Sequence, residues 1–207
     1  MRLTVLAAAL LFAAPAFAQC LPPDGVPEPG PVGEAVPSQF HRVGVQGGLA
    51  CAVAAEQGAR MADHVKPVTF LPCLRIGAVA VADTLKAVEE RLGRPDAVTE
   101  IDWRTEVRAY FIAQRTVPNP YYVVTYRDDV AVAVQLMGPP TELPARFSGL
   151  SLGDTAQDVV DKLGRPTALC PHQGKAVQTW VWNPFPIGID VVDGRVVGFK
   201  VTWPAGK

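Results

Sequence analysis

The feature that most constrains this chain is a near-repeat. Residues 79–98, VAVADTLKAVEERLGRPDAV, align without a gap to residues 150–169, LSLGDTAQDVVDKLGRPTAL, 71 positions later, with eight identities in twenty. Similarity of this kind reads as an internal duplication, so both segments are expected to fold alike. The identities are the ones a short helix needs at its ends. Asp83 and Asp154, each followed by a threonine (Thr84, Thr155), offer oxygens to the free N–H groups of a starting helix and negative charge to its positive end. Leu85, Val88 and Leu92, matched by Ala156, Val159 and Leu163, form one apolar stripe. Gly93 and Gly164 allow the closing left-handed turn, Pro95 and Pro166 forbid continuation, and Arg94 or Arg165 stands by the negative helix end. These aspartates read as caps, not as catalytic acids.

After each helix the apolar period changes from 3.6 to 2. Val107, Ala109 and Phe111, then Tyr122, Val124 and Tyr126, then Val130, Val132, Val134 and Leu136 alternate with more polar neighbours around a turn at Arg127-Asp128-Asp129. The second copy repeats the order with Trp180 and Trp182, then Ile187, Ile189 and Val191, then Val197, Phe199 and Val201 around Asp193-Gly194. Aligning Asp128 with Asp193 and Phe111 with Trp182 gives both copies the same inward face. The expected architecture is α+β: two tandem units of short helix plus three-stranded antiparallel sheet, residues 74–140 and 141–207, sharing one extended surface. A helical segment, residues 39–73, is expected to precede them, because Ala50, Val53, Ala54, Gln57 and Met61 share one side of a helix over Leu49–His64 that Pro67 ends. Residues 19–38 are Pro and Gly punctuation with few large apolar side chains, which predicts a flexible tether.

Residues 1–18 have the grammar of a secretory signal: Arg2, an apolar run from Leu3 to Ala14, and Ala16-Phe17-Ala18 before a cut at Gln19. Gln19 is not the small residue a lipoprotein signal places before its cysteine, so no lipid anchor is expected at Cys20. No later run is long enough to span a membrane. The expected location is periplasmic or secreted. Four cysteines in such a chain read as two disulfides, with three pairings open; Cys51–Cys73 with Cys20–Cys170 is the favoured one. With 19 basic against 20 acidic residues, no field draws nucleic acid.

Leu150-Ser151-Leu152-Gly153-Asp154-Thr155, Leu163-Gly164-Arg165-Pro166 and Trp180-Val181-Trp182 resemble the SmpA/OmlA (BamE-like) family of small outer-membrane assembly lipoproteins. The first copy departs from that pattern with Ala82 in place of glycine. Two such units in tandem are also similar to the β-lactamase inhibitor protein architecture, whose paired sheets form a concave protein-binding surface. The resemblance covers residues 74–203 and implies a role in binding another protein.

If one sheet face packs on the helices, the opposite parity is free. It is expected to hold Arg104, Arg108, Tyr110, Tyr121 and Thr125 in the first copy and Thr179, Asp190, Lys200 and Thr202 in the second. Tyrosine and arginine provide area and directed hydrogen bonds at low ordering cost, which suits contact with an envelope protein or a secreted enzyme. The alternative is a small serine hydrolase, since Gly149-Leu150-Ser151-Leu152-Gly153 fits GxSxG and His172 is the one histidine downstream. Against it, Pro144-Ala145-Arg146-Phe147 makes a poor central strand and the first copy has Ala80 in place of Ser151. No metal is expected from the scattered His41, His64 and His172, and no cofactor, because neither GxxxxGK[ST] nor GxGxxG occurs.

Overall fold

Both near-repeat segments fold as their end signals require. Thr84 caps a helix α1 (Leu85–Leu92) by accepting the Ala87 N–H at 3.3 Å, and Thr155 caps α2 (Ala156–Leu163) by accepting the Asp158 N–H at 3.2 Å. Asp158 returns the bond by accepting the Thr155 N–H at 2.8 Å, which completes a capping box in α2 alone of the two. Gly93 and Gly164 close the helices at φ 84° and 77°. The aspartate before each cap tightens the approach loop, Asp83 accepting the Ala80 N–H and Asp154 the Ser151 N–H, both at 2.8 Å. Ala82 takes the φ of 73° that Gly153 takes at 92°, a left-handed conformation that costs an alanine more than a glycine.

The computed structural model describes residues 20–44, 48–53, 69–112, 119–142, 145–172 and 175–204. Its architecture corrects the expected one. Among these residues there are two α-helices and twelve strands, so the chain is mostly β, and the two halves do not form separate helix-plus-three-strand units. Eight strands make one antiparallel sheet: β5 (Ala97–Glu100), β6 (Thr105–Phe111), β7 (Tyr121–Arg127), β8 (Val130–Met137), β9 (Ala168–Pro171), β10 (Gln178–Val181), β11 (Ile187–Val192) and β12 (Arg195–Thr202). Their order is β5-β6-β7-β8-β12-β11-β10-β9. Each half supplies four strands, because the residues after each Leu-Gly-Arg-Pro also pair; β5 and β9 are too short for an alternating pattern to stand out. The halves then fuse along their last strands, Thr202 opposite Ala133 through Gly198 opposite Met137. Pairing β8 with β12 satisfies two rows of backbone groups that separate sheets would leave as open edges.

The hairpin turns are the expected ones. Asp128 and Asp129, like Asp193 and Gly194, have positive φ, as tight two-residue hairpins require. Each turn follows a bulge, between Thr125 and Tyr126 and between Asp190 and Val191, and the bulges alter which residues face inward. Ala131 and Val196 are fully buried, whereas the expected inward residues Val132 and Val197 are not.

Helices and smaller hairpins cover one face. Two hairpins precede α1: β1 (Phe40–Val43) with β2 (Gly48–Cys51), and β3 (Arg75–Ile76) with β4 (Val79–Ala80). The helix expected over Leu49–His64 starts as strand β2, and its residues 54–64 lie outside the described residues. The core contains Tyr122, Val124, Tyr126, Val134, Leu136, Ile189, Phe199 and Val201 from the sheet, packed with Ile76, Val79, Val88, Leu150, Val159, Val160 and Leu163. Disulfides join Cys20 to Cys170 and Cys51 to Cys73. The first of them begins a strap: Leu21 pairs with Leu169, Arg165 binds Glu28 and the Pro23 carbonyl, and Gly30 donates to Asp161 at 2.6 Å. Residues 20–30, expected as free tether, are thus fastened to α2 and to the edge strand beside it.

Candidate functional site

The face of the sheet away from the helices is set by register. Residues directly opposite each other in an antiparallel pair share a face. Tyr122 and Val124 are buried on the helix side, and β6 places Tyr110 and Arg108 opposite them. The open face therefore takes the other set: Val107, Ala109 and Phe111 of β6, Tyr121, Val123 and Thr125 of β7, and Ala133, Gln135 and Met137 of β8. Across the seam it continues with Gly198, Lys200 and Thr202 of β12, Gly188 and Asp190 of β11, and Thr179 and Val181 of β10.

Two chemistries adjoin on this face. The first half is aromatic and aliphatic: the Phe111 and Tyr121 rings lie 5.4 Å apart, and the Tyr121 hydroxyl meets the Met137 sulfur at 2.9 Å, with Val107 and Val123 alongside, all half-buried. The second half is polar. Thr179 donates to Asp190 and its hydroxyl also bonds His172 Nε2 at 2.7 Å, while Lys200 stands exposed. Gly188 keeps that half low: a Cβ there would meet Thr179 Cγ2 at 3.1 Å. A shallow cavity of about 310 Å³ lies there, lined by Thr179, Val181, Lys200 and Thr202 among others.

Six of the nine residues expected on a free face come together: Tyr121, Thr125, Thr179, Asp190, Lys200 and Thr202. Three do not. Arg108 turns toward the helix side, bonding Glu89 of α1 at 2.6 Å and Glu106 at 2.8 Å. Tyr110 is buried beside it, its hydroxyl 3.3 Å from that of Tyr126. Arg104 sits in the β5–β6 turn, paired with Asp128. The cause is a one-residue slip. Asp96 N–H bonds the Ala109 carbonyl as Thr167 N–H bonds the Val181 carbonyl, so Tyr110, not Phe111, corresponds to Trp182. A shift of one residue in a strand reverses every face. Val107 and Phe111 were missed for that reason, with the opposed tyrosines Tyr110 and Tyr122 as the available signal; Val123, Gln135 and Met137 keep the expected parity of β7 and β8 and were not singled out on it.

Burial raises the tyrosines on the helix side. Tyr122, which donates to the Ile76 carbonyl at 3.2 Å, is pushed up to about 12. Tyr126 and Tyr110 are shifted up by the same loss of water.

Ser151 lacks the surroundings of a nucleophile elbow. Phe147 and Leu150 exchange backbone bonds across a tight turn, Ser151 follows with its N–H on Asp154, and every strand pair among the described residues is antiparallel, not the parallel sheet an elbow crowns. His172 is engaged with Thr179. Among the described residues no group of three or more His, Cys, Asp or Glu is placed to hold a metal ion, and no helix is long and apolar enough to cross a membrane.

No family model matches the chain, and no curated protein matches it. Solved structures do. A cysteine-rich secretory protein from Staphylococcus aureus aligns at 16% identity and TM-score 0.41 over 59% of this chain and 44% of its own, so this chain spans less than half of that protein. A DUF4309-family protein from Bacillus subtilis aligns at 16% identity and TM-score 0.39, covering 58% and 78% of the two chains. A Streptococcus mutans protein assigned provisionally to the β-lactamase inhibitor proteins aligns at 13% identity and TM-score 0.25, covering 56% and 80%. None of these findings supports the SmpA/OmlA resemblance.

Proposed function

We propose that this protein is an exported, periplasmic or secreted binding module that uses the open face of its sheet to contact an envelope protein or to inhibit a secreted enzyme. One observation carries the proposal: an aromatic and aliphatic patch, Val107, Phe111, Tyr121, Val123 and Met137, adjoins a polar patch, Thr179, Asp190, Lys200 and Thr202, on one face of a single sheet. Aromatic side chains beside polar and charged groups are the residue types that protein interfaces favour, and aromatic anchors carry most of their energy. The two disulfides fit an oxidising compartment. We read the two halves as copies of one ancestral unit, supported by cap, turn and bulge bonds that recur at corresponding positions.

The test is a crosslinking pull-down from envelope extract, followed by titration of the captured protein. A Tyr121→Ala, Val123→Asp, Lys200→Glu variant should bind at least about tenfold more weakly, as loss of hot-spot residues predicts. Equal capture by wild type and variant, with both folded by circular dichroism, would sink the proposal.

A further inference from the structure

The two edges of the sheet are treated differently. At β9 the chain closes its own edge: Leu21 and Leu169 exchange backbone hydrogen bonds of 2.6 and 2.9 Å beside the Cys20–Cys170 disulfide. At the other edge all four residues of β5 are exposed. Ile101 N–H bonds the Thr105 carbonyl at 2.9 Å, and Thr99 and Ala97 stand opposite Val107 and Ala109. The alternation of an antiparallel ladder then turns the N–H and C=O of Val98 and Glu100 away from β6. That is the row of groups an added strand needs. Proteins usually blunt such an edge with lysine, proline or a bulge. Here the edge and its turn instead carry Val98, Ile101 and Trp103, which are 50%, 62% and 89% exposed. The Arg104 guanidinium lies 5.2 Å from the centre of the Trp103 ring and steadies it.

Charge decides the occupant. A cavity of about 550 Å³ beside this turn is lined by five carboxylates, Glu100, Asp102, Glu106, Asp128 and Asp129, against two guanidiniums. Both guanidiniums are engaged within the chain, Arg104 with Asp128 and Arg108 with Glu106 and Glu89. A second copy added antiparallel to β5 would set Asp96, Glu100 and Asp102 against the same three carboxylates, a repulsive contact. A segment of opposite charge meets no such penalty.

We propose that β5 receives an extended, lysine- or arginine-bearing segment of a partner protein as an added strand, with a cation in the acidic cavity and an apolar side chain against Ile101 and Trp103. This surface is separate from the open face, so either can fail without the other.

The probe is a fluorescein-labelled eight-residue peptide alternating valine and lysine, titrated into the disulfide-bonded protein by anisotropy and by amide NMR. Controls replace the lysines with glutamates, or N-methylate alternate backbone amides. The lysine peptide should bind with shifts at Val98, Glu100 and the turn, and each control should bind about tenfold or more weakly. Binding should weaken with salt. Trp103→Ala, at a position too exposed to endanger folding, should weaken binding several-fold, and Tyr121→Ala should leave it unchanged. Equal binding of either control, shifts confined to the open face, or no binding of the lysine peptide at millimolar concentration would overturn the proposal.

Discussion

Buried tyrosines make the helix side of the sheet sensitive to alkali. Tyr110, Tyr122 and Tyr126 are all shifted upward by burial, Tyr122 to about 12. Between the unfolded value of 10.0 and the folded one, the unfolded chain has lost protons that the native chain keeps. Stability present below pH 10 is therefore lost as pH rises through the folded values. Thermal unfolding followed against pH should show Tm falling steeply above about pH 10, and Tyr122→Phe, which has no proton to lose, should flatten the fall. A second residue-scale expectation concerns the aspartates before the helices. Asp154→Ala frees the Ser151 N–H and should cost about 1 kcal/mol in urea unfolding, the usual worth of one such bond. Asp83→Ala should cost somewhat more, because Asp83 also holds Arg91 at 2.6 Å. The capping by Thr84 and Thr155 was legible because a cap depends only on residues three or four apart; the aspartates read with them as caps instead accept the Ala80 and Ser151 N–H groups of the approach loops. The inward turn of Arg108 was not legible, since it is decided by Glu89 on another element.

The helices illustrate how two similarly capped segments acquire different burdens. α1 fully buries Val88 alone, with Leu85 and Leu92 half-buried. α2 buries Val159, Val160 and Leu163, because the strap and β1 lie against it. Leu163→Ala should destabilise the protein by about 2–5 kcal/mol, the range for a buried leucine, and Leu92→Ala by clearly less. Equal chemical-denaturation midpoints for the two variants would contradict the packing described. The equivalence of Leu92 and Leu163 was plain in the alignment; their unequal burial was not, because it comes from distant residues of the strap and β1 that lie against α2.

At the scale of the molecule, the N-terminal strap joins the ends of the fold. Cys20 and Cys170 are 150 residues apart, so their bond removes much freedom from the unfolded chain. Replacing both with serine should cost about 2–5 kcal/mol. Hydrogen exchange should quicken over residues 21–30, α2 and β9 while β6 and β7 stay protected. Release of the strap also uncovers the β9 edge, so the variant should self-associate more readily than the wild type in sedimentation.

Taken alone, the sequence determined the helix ends, the hairpin turns at Asp128-Asp129 and Asp193-Gly194, and the likeness of the two halves. All of these are short-range effects of capping, left-handed turn chemistry and apolar period. Tertiary structure decided what those elements build: a fused eight-stranded sheet, a reversed face for β6, bulges that move Ala131 and Val196 inward, and a fastened strap where composition predicts a tether. Each of these depends on which distant edge or side chain is available to satisfy a backbone row or a charge, and no local pattern carries that information.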